Sequence, residues 1–397
     1  MTQNEIDFIE DEAQLENDDD VGYLDQSNFS TAVVSGNDWT AETIINQINK
    51  GNIQLNPDFQ RRDAWDKKRK SRFIESLILG LPVPQVVLAE SKERRGKYIV
   101  LDGKQRLLTI RQFAATEDDA DYDQLKLTSL DIRNDLKGKT LDDLKDDLNL
   151  FEELSAFENQ PIRTVVIKNW PSEDFLYHVF LRLNTGSVPL SPQELRQALH
   201  PGGFVKYLDK TSSESAALKE ILNLKKPDFR MRDSELLLRY LSLNNYLGQY
   251  TGNLKKFLDE TCSKLNSEWN KLSQEIESQV VEFELAHEAV KSIFNKNCYR
   301  KWTGGSYENR FNRAIYDIMT LSFSDKDVRQ LAAGKEKLVE NAFKELCSTN
   351  VDFKTSIETT TKSLGATHTR LSVWFKKLND TIDCNLPVPK LINGRII

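Results

Sequence analysis

The 397-residue chain is 39% hydrophobic and 29% charged, an ordinary, slightly polar composition long enough for two domains whose cores need neither disulfides nor a metal. No apolar run approaches the roughly 20 residues of a membrane span, the acidic N-terminus lacks the basic and apolar regions of a signal peptide, and four scattered cysteines without a C-x-x-C pair argue against a zinc site and predict a cytoplasmic location. The net charge of −7 belongs to a tail: residues 1–20 hold nine carboxylates and no Lys or Arg, which leaves the rest of the chain at +2.

Residues 1–35 are therefore expected to be largely disordered, with an acidic mimic that occupies a basic groove as the sharper alternative. Because the body is nearly neutral, any nucleic-acid surface must be a local patch. The first structured element is expected at Trp39, with Thr40 capping a helix to Asn49 whose Ile44, Ile45 and Ile48 share one face. Asp66 then caps a second helix, Lys67 to Leu79, and Gly80 stands where a C-cap belongs.

Leu81 to Ala89 reads as a strand whose prolines confine it to its start or to an edge. Residues 91–97 make a hairpin-like turn, Tyr98 to Asp102 forms the partner strand, and Gly103 releases the chain into a helix reaching about Phe113. Residues 116–150 read as an insertion of loops and short helices, followed by a strand at Ile162–Ile167 and a helix from Ser172 to Asn184 with Phe175, Val179, Phe180 and Leu183 inward. Ser191, Pro192 and Glu194 form a capping-box helix start, and 200–203 reads as a domain boundary. Beyond it the chain reads as helices. No Gly or Pro occurs between Gly252 and Gly304, where Leu265, Trp269, Leu272 and Ile276 fit a bundle core or, alternatively, a coiled coil that would make a homo-oligomer.

Three segments carry candidate chemistry. At Asp102-Gly-Lys-Gln-Arg106 a strand meets a helix start, which offers amides and a dipole to an anion, while Gly103 permits close backbone approach. Lys104 and Arg106 are unfavourable there without an anionic partner. The pattern reads equally as a phosphate site or as an Asp102–Arg106 ion pair, and Asp102 is the candidate Mg²⁺ ligand. On a helical wheel Lys70 falls on the apolar stripe of Phe73, Ile74, Leu77 and Ile78 and so needs a partner. Lys67, Lys68, Arg69 and Arg72 are the nucleic-acid candidates, with a solvated face as the alternative. Arg182, Asn184 and Arg196 crowd the turn where two helix ends meet around Gly186.

Four motifs in order resemble the N-terminal domain of the GmrSD-type restriction systems, a family with a ParB/sulfiredoxin-like fold. They are Pro57 to Trp65 (QR-x-x-x-W), Ile74 to Pro82, Val100 to Leu107 (V-x-D-G-Q-Q-R), and Phe180 to Arg196 (F-x-R-x-N-T-G followed by L-x-x-x-E-L-R). Arg230 to Glu235, Tyr250 to Asn253 and Arg310 to Arg313 also look like stretches of stand-alone members. The resemblance implies an α+β protein, with a mixed α/β domain over 36–200 followed by an α-helical domain over 201–397. It further implies a nucleoside triphosphate site using Asp102, Gly103, Gln105 and Arg106, with Arg61 and Lys70 nearby and Mg²⁺ as cofactor. Asp102, Gln105 and Arg106 would be catalytic, and Lys104, Arg182, Asn184 and Arg196 would help hold the nucleotide.

The sequence departs from the family pattern in two ways. Position 104 is Lys where Gln is usual. Fused members carry an HNH nuclease, which needs closely spaced histidines, whereas His178, His200, His287 and His368 include no pair within ten residues. The implied function is an NTP-binding, NTP-hydrolysing sensor or regulator in anti-phage defence, with cutting left to a separately encoded effector. The alternatives are a DNA-binding adaptor and an antitoxin-like protein that holds an effector inactive.

Overall fold

Thr40 ends the first strand of the protein and caps its first helix, its hydroxyl accepting from the Thr43 amide at 3.1 Å. The computed structural model describes residues 31–53, 55, 62–183, 191–359 and 361–397. The described residues up to 199, with 229–231, form one compact unit, and 200–228 with 232–397 form another. In chain order the first unit contains β1 (Val33–Thr40), α1 (Ala41–Asn49), α2 (Lys67–Ile78), β2 (Val86–Glu90), β3 (Tyr98–Asp102) and α3 (Lys104–Phe113). It continues with α4 (Leu141–Asp146), α5 (Phe151–Asn159), β4 (Pro161–Lys168), α6 (Glu173–Leu183) and α7 (Pro192–Leu199).

The strands form one sheet in the order β1-β4-β2-β3, with β2 and β4 parallel and the other two pairs antiparallel. Pro82 and Pro84 lie before β2 rather than in it, so they cost the ladder nothing. Alternation then sorts the side chains into two layers. Val86, Leu88, Val100 and Ile162 face a core built with α1, α2, α3 and α5. Val87, Ala89, Leu101 and Ile167 face a second core with Phe175, Leu176, Tyr177 and Phe180 of α6 and Leu195 of α7.

Two sequence expectations need correction. Among the described residues the first element is β1 rather than the helix after Trp39, and it begins inside the stretch expected to be disordered to residue 35. Ser35-Gly-Asn-Asp38 has poor strand propensity, and the pairing that orders it runs from Val33 opposite Lys168 to Thr40 opposite Pro161, far away in sequence. The 116–150 insertion is also less peripheral than its polarity implies. It does contain α4 and two short 3-10 turns, but Leu125, Leu127, Leu130, Leu136, Leu141 and Leu144 are all buried in the first core.

The insertion is tied down by Glu75 of α2, a buried carboxylate that accepts from the amides of Asp131, Ile132 and Arg133 at 3.1, 2.8 and 2.7 Å. Burial pushes the Glu75 carboxyl up, but these three amides with Arg72 outweigh it and hold it below its ordinary value.

The second unit is helical: α8 (Gly203–Glu214), α9 (Ala216–Ile221), α10 (Arg232–Tyr246), α11 (Leu254–Phe294), α12 (Arg313–Phe323), α13 (Lys326–Ala332), α14 (Glu336–Thr349), α15 (Val351–Glu358) and α16 (Leu364–Ile382), with a small terminal hairpin. The stretch without Gly or Pro is a single 41-residue helix, α11. Its Leu265 and Ile276 are buried in the unit's own core and Trp269 and Leu272 pack against that core, which accounts for the 4-3-4 spacing. No helix among the described residues is long and apolar enough to cross a membrane.

Glu75→Gln should lower stability by about 2 kcal/mol, the scale of a buried charge-assisted hydrogen bond. A carboxyl whose folded pKa lies below its unfolded one stabilises the fold above the unfolded pKa, and that contribution fades as pH falls through the folded pKa. The variant should therefore lose least at low pH. Equal losses at neutral and acid pH in denaturant titrations would show that the Glu75 charge contributes nothing.

Candidate functional site

The geometry at the end of β3 depends on a backbone only glycine adopts easily. Gly103 lies in the left-handed region (φ 95°, ψ 12°) and is the N-cap of α3, with no side chain to cap the helix. A Cβ there would come within 3.0 Å of Val86 Cγ2 and 3.2 Å of Arg106 Nη2. In the first turn that follows, the amides of Gln105 and Arg106 have no intrahelical acceptor.

Arg106 folds back across this junction. Its Nη2 donates to Asp102 Oδ2 and to the Gln85 carbonyl, both at 2.8 Å. The ion pair that the sequence allows is thus formed, but it does not use the whole guanidinium. Among the described residues, Arg106 Nε and Gln105 Oε1 are buried without a hydrogen-bond partner. Each such group costs about 1–3 kcal/mol unless a ligand or water completes it. A donor and an acceptor therefore stand unmatched beside helix-start amides, which suits a polar anionic ligand. The Asp102 side chain is 31% exposed, open enough to meet Mg²⁺, which takes few protein carboxylates and fills its shell with phosphate and water. Among the described residues there is no group of three His, Cys, Asp or Glu placed to hold a metal by themselves.

The two lysines proposed for the site are both held by carboxylates. Lys104 is buried and ion-paired with Glu194 of α7. Glu194 also completes the capping box foreseen from the sequence: its Oε2 accepts from the Ser191 amide at 2.7 Å, and its own amide donates to Ser191 Oγ at 3.1 Å. Lys70 points inward, as the helical wheel requires, and there it pairs with Asp63 and donates to Gln112 Oε1 at 2.7 Å. Gln112 lies seven residues beyond Gln105 on α3, roughly 10 Å along the axis, so Lys70 serves the far end of that helix.

Arg196 is buried and donates to Gln193 Oε1 at 2.6 Å, whereas Arg182 is exposed at the end of α6. Arg61 and Asn184 lie outside the described residues. Of the nucleic-acid candidates, Arg72 pairs with Asp131 at 2.5 Å and Arg69 lies 4.7 Å over the Trp65 ring, while Lys67 and Lys68 are exposed. Sequence reasoning missed Asp63, Gln112 and the Gln85 carbonyl, and it saw only the capping role of Glu194. A buried lysine demands a carboxylate, but nothing local says which one answers.

Residues 41–201, from α1 through α7, match the family model of the GmrSD restriction endonuclease N-terminal domain. That segment belongs to this family. No curated protein and no solved structure matches the chain. The GmrSD-type domain is therefore a mixed α/β sheet domain, preceded by the edge strand β1 and followed by a helical unit.

Within the GmrSD-type domain, Gly103→Ala should cost about 1–3 kcal/mol, because the new Cβ meets both a left-handed φ and Val86. A melting temperature equal to that of the wild type would show that the junction relaxes freely. Glu194→Gln keeps a capping acceptor but takes a carboxylate from the buried Lys104, so it should cost about 3 kcal/mol. Ser191→Ala removes only the cap and should cost about 1 kcal/mol. If the two prove equal in urea denaturation, the ion pair adds nothing beyond the cap.

Proposed function

We propose that the chain is a component of a restriction-type defence system in the cytoplasm, and that its GmrSD-type domain binds and hydrolyses a nucleoside triphosphate at the amino end of α3. The observation that carries this reading is the unmatched pair, Arg106 Nε and Gln105 Oε1, beside the uncapped helix start at Gly103. A bound Mg²⁺–NTP would supply the phosphoanhydride bond to be cleaved. Arg106 would donate through Nε to a phosphate oxygen, the α3 amides would add neutral donors, and Asp102 would face the metal. Gln105 would accept from and orient the attacking water. Such positioning and charge neutralisation are most of what phosphoryl transfer requires of a protein.

Lys104 and Lys70 would act indirectly, since each already pairs with a carboxylate of the domain. DNA cleavage would fall to a separate effector, as no two histidines lie within ten residues of each other. The DNA-adaptor alternative has less support, because Arg69 and Arg72 are engaged within the domain and only Lys67 and Lys68 of that group stand exposed without them.

The test is Mg²⁺-dependent turnover of the four NTPs by wild type, Arg106→Lys and Arg106→Ala, with melting temperatures measured alongside. Loss of one charge-assisted hydrogen bond, about 1.5–3 kcal/mol, should weaken nucleotide binding roughly 10–100-fold in a folded Arg106→Ala protein. Wild-type binding and turnover by that variant would show that the site lies elsewhere.

A further inference from the structure

The strand β1 is the outermost of the order β1-β4-β2-β3, and no strand among the described residues pairs with its other side. Natural edge strands are blunted by Lys, Pro or a bulge, because an open row of N–H and C=O groups recruits another strand. β1 contains no Lys or Pro, and its ladder to β4 runs without a register shift from Val33 to Thr40. It is also open to solvent: Val33 is 50% and Val34 65% exposed, and Gly36, Asn37 and Asp38 are exposed as well.

The ladder tells which backbone groups point outward. The Ala41 amide donates to the Gln160 carbonyl at 3.2 Å, one step past the pair of Thr40 and Pro161. Hydrogen-bonded and non-hydrogen-bonded pairs alternate along an antiparallel ladder, and Pro161, with no N–H, suits a non-hydrogen-bonded position. Counting back from Ala41, it is Val33, Ser35, Asn37 and Trp39 that bond to β4. Val34, Gly36 and Asp38 therefore turn their N–H and C=O groups to the open edge.

This edge is complementary to itself about Gly36. With a second copy antiparallel and Gly36 set against Gly36, Val34 of one strand and Asp38 of the other exchange N–H···O bonds. The intervening positions become close pairs, with Cα atoms about 4.5 Å apart. Val33 then meets Trp39 of the second copy, an aromatic–β-branched pair, and Ser35 meets Asn37, a polar pair. Sliding the strands by two residues sets Val33 against Asn37 or Ser35 against Trp39, so that apolar meets polar. The missing side chain at position 36 leaves room for the Arg163 guanidinium, whose Nη2 would lie 2.5 Å from a Cβ there. Each Arg163 that approaches the axis carries its own Asp38 at 3.2 Å, so neither brings an unbalanced charge to the contact.

We propose that β1 is a dimerisation edge, through which two copies of the chain pair about a two-fold axis at Gly36 and join their four-stranded sheets into one continuous sheet.

Sedimentation of the full-length protein across micromolar concentrations should show twice the chain mass. Val34→Pro removes an N–H that β4 does not use, and Val33→Lys replaces the contact to Trp39 with a charge while keeping every backbone group. Each should weaken the dimer about tenfold or more at an unchanged melting temperature, the scale of one lost hydrogen bond in each half of the contact. Under mild oxidation Ser35→Cys/Asn37→Cys should form covalent dimers that wild type and either single variant do not, because positions 35 and 37 face each other only across the axis. A chain that stays monomeric at every concentration, as it would if another partner or its own tail took this edge, overturns the proposal. So does a dimer indifferent to both Val33→Lys and Val34→Pro, or one that Asn37→Cys alone crosslinks.

Discussion

The left-handed backbone of Gly103 fixes where the first turn of α3 points, and the candidate site depends on that direction. The turn from β3 into α3 brings the Arg106 guanidinium to within about 3.2 Å of where a Cβ on Gly103 would stand. Arg106 therefore lies across the junction and ties the end of β3, through Asp102, to the entry of β2, through the Gln85 carbonyl. The same absent side chain leaves the helix start uncapped. Capping and ligand binding compete for the same amides, so a residue able to cap α3 would also obstruct it.

The buried cations around this helix are not equally available to a ligand. Lys104–Glu194 and Lys70–Asp63 are pairs with little exposure, and removing one member of such a pair costs about 3–5 kcal/mol. Asp102 is the most exposed carboxylate among these pairs, and contacts in that setting are worth much less. An incoming anion therefore redirects Arg106 at lower cost than either lysine. This bears on the departure at position 104, where the resemblance leads one to expect Gln. The Lys there comes with a carboxylate from α7, so its charge is absorbed by packing between the two helices rather than offered to a phosphate.

What could be read from the sequence was set by how far each signal reaches. Asp66, Gly80, Gly103 and the Ser191–Glu194 box act within a few residues, so α2, α3 and α7 could be placed from local chemistry, and the inward aim of Lys70 followed from helical period alone. The strand β1 could not be placed this way, since its order comes from a partner more than 100 residues away and its middle, Ser35 to Asp38, is polar or glycine. Leucines spaced through the acidic 116–150 insertion fit neither helical nor strand period, which hid their part in the core. The lysine partners were hidden for a related reason: Lys104 and Glu194 lie 90 residues apart and meet only once the sheet has brought α3 and α7 to the end of β3.

The helical unit uses buried charge differently, and this decides which of its polar clusters can accept a ligand. Asp317 of α12 is shared by two guanidinium groups: Arg239 Nε and Nη2 donate to it at 3.1 and 2.6 Å, and Arg370 Nη2 at 3.2 Å. Arg239 Nη1 and Arg370 Nε have no partner among the described residues, which by itself would suggest an anion site. The void beside them, however, is only about 10 Å³, room for about one water and nothing larger. A network so enclosed fixes how α10, α12 and α16 pack, because any other packing would strand a buried charge. The small void beside it therefore makes the arginine network structural rather than a site for a ligand.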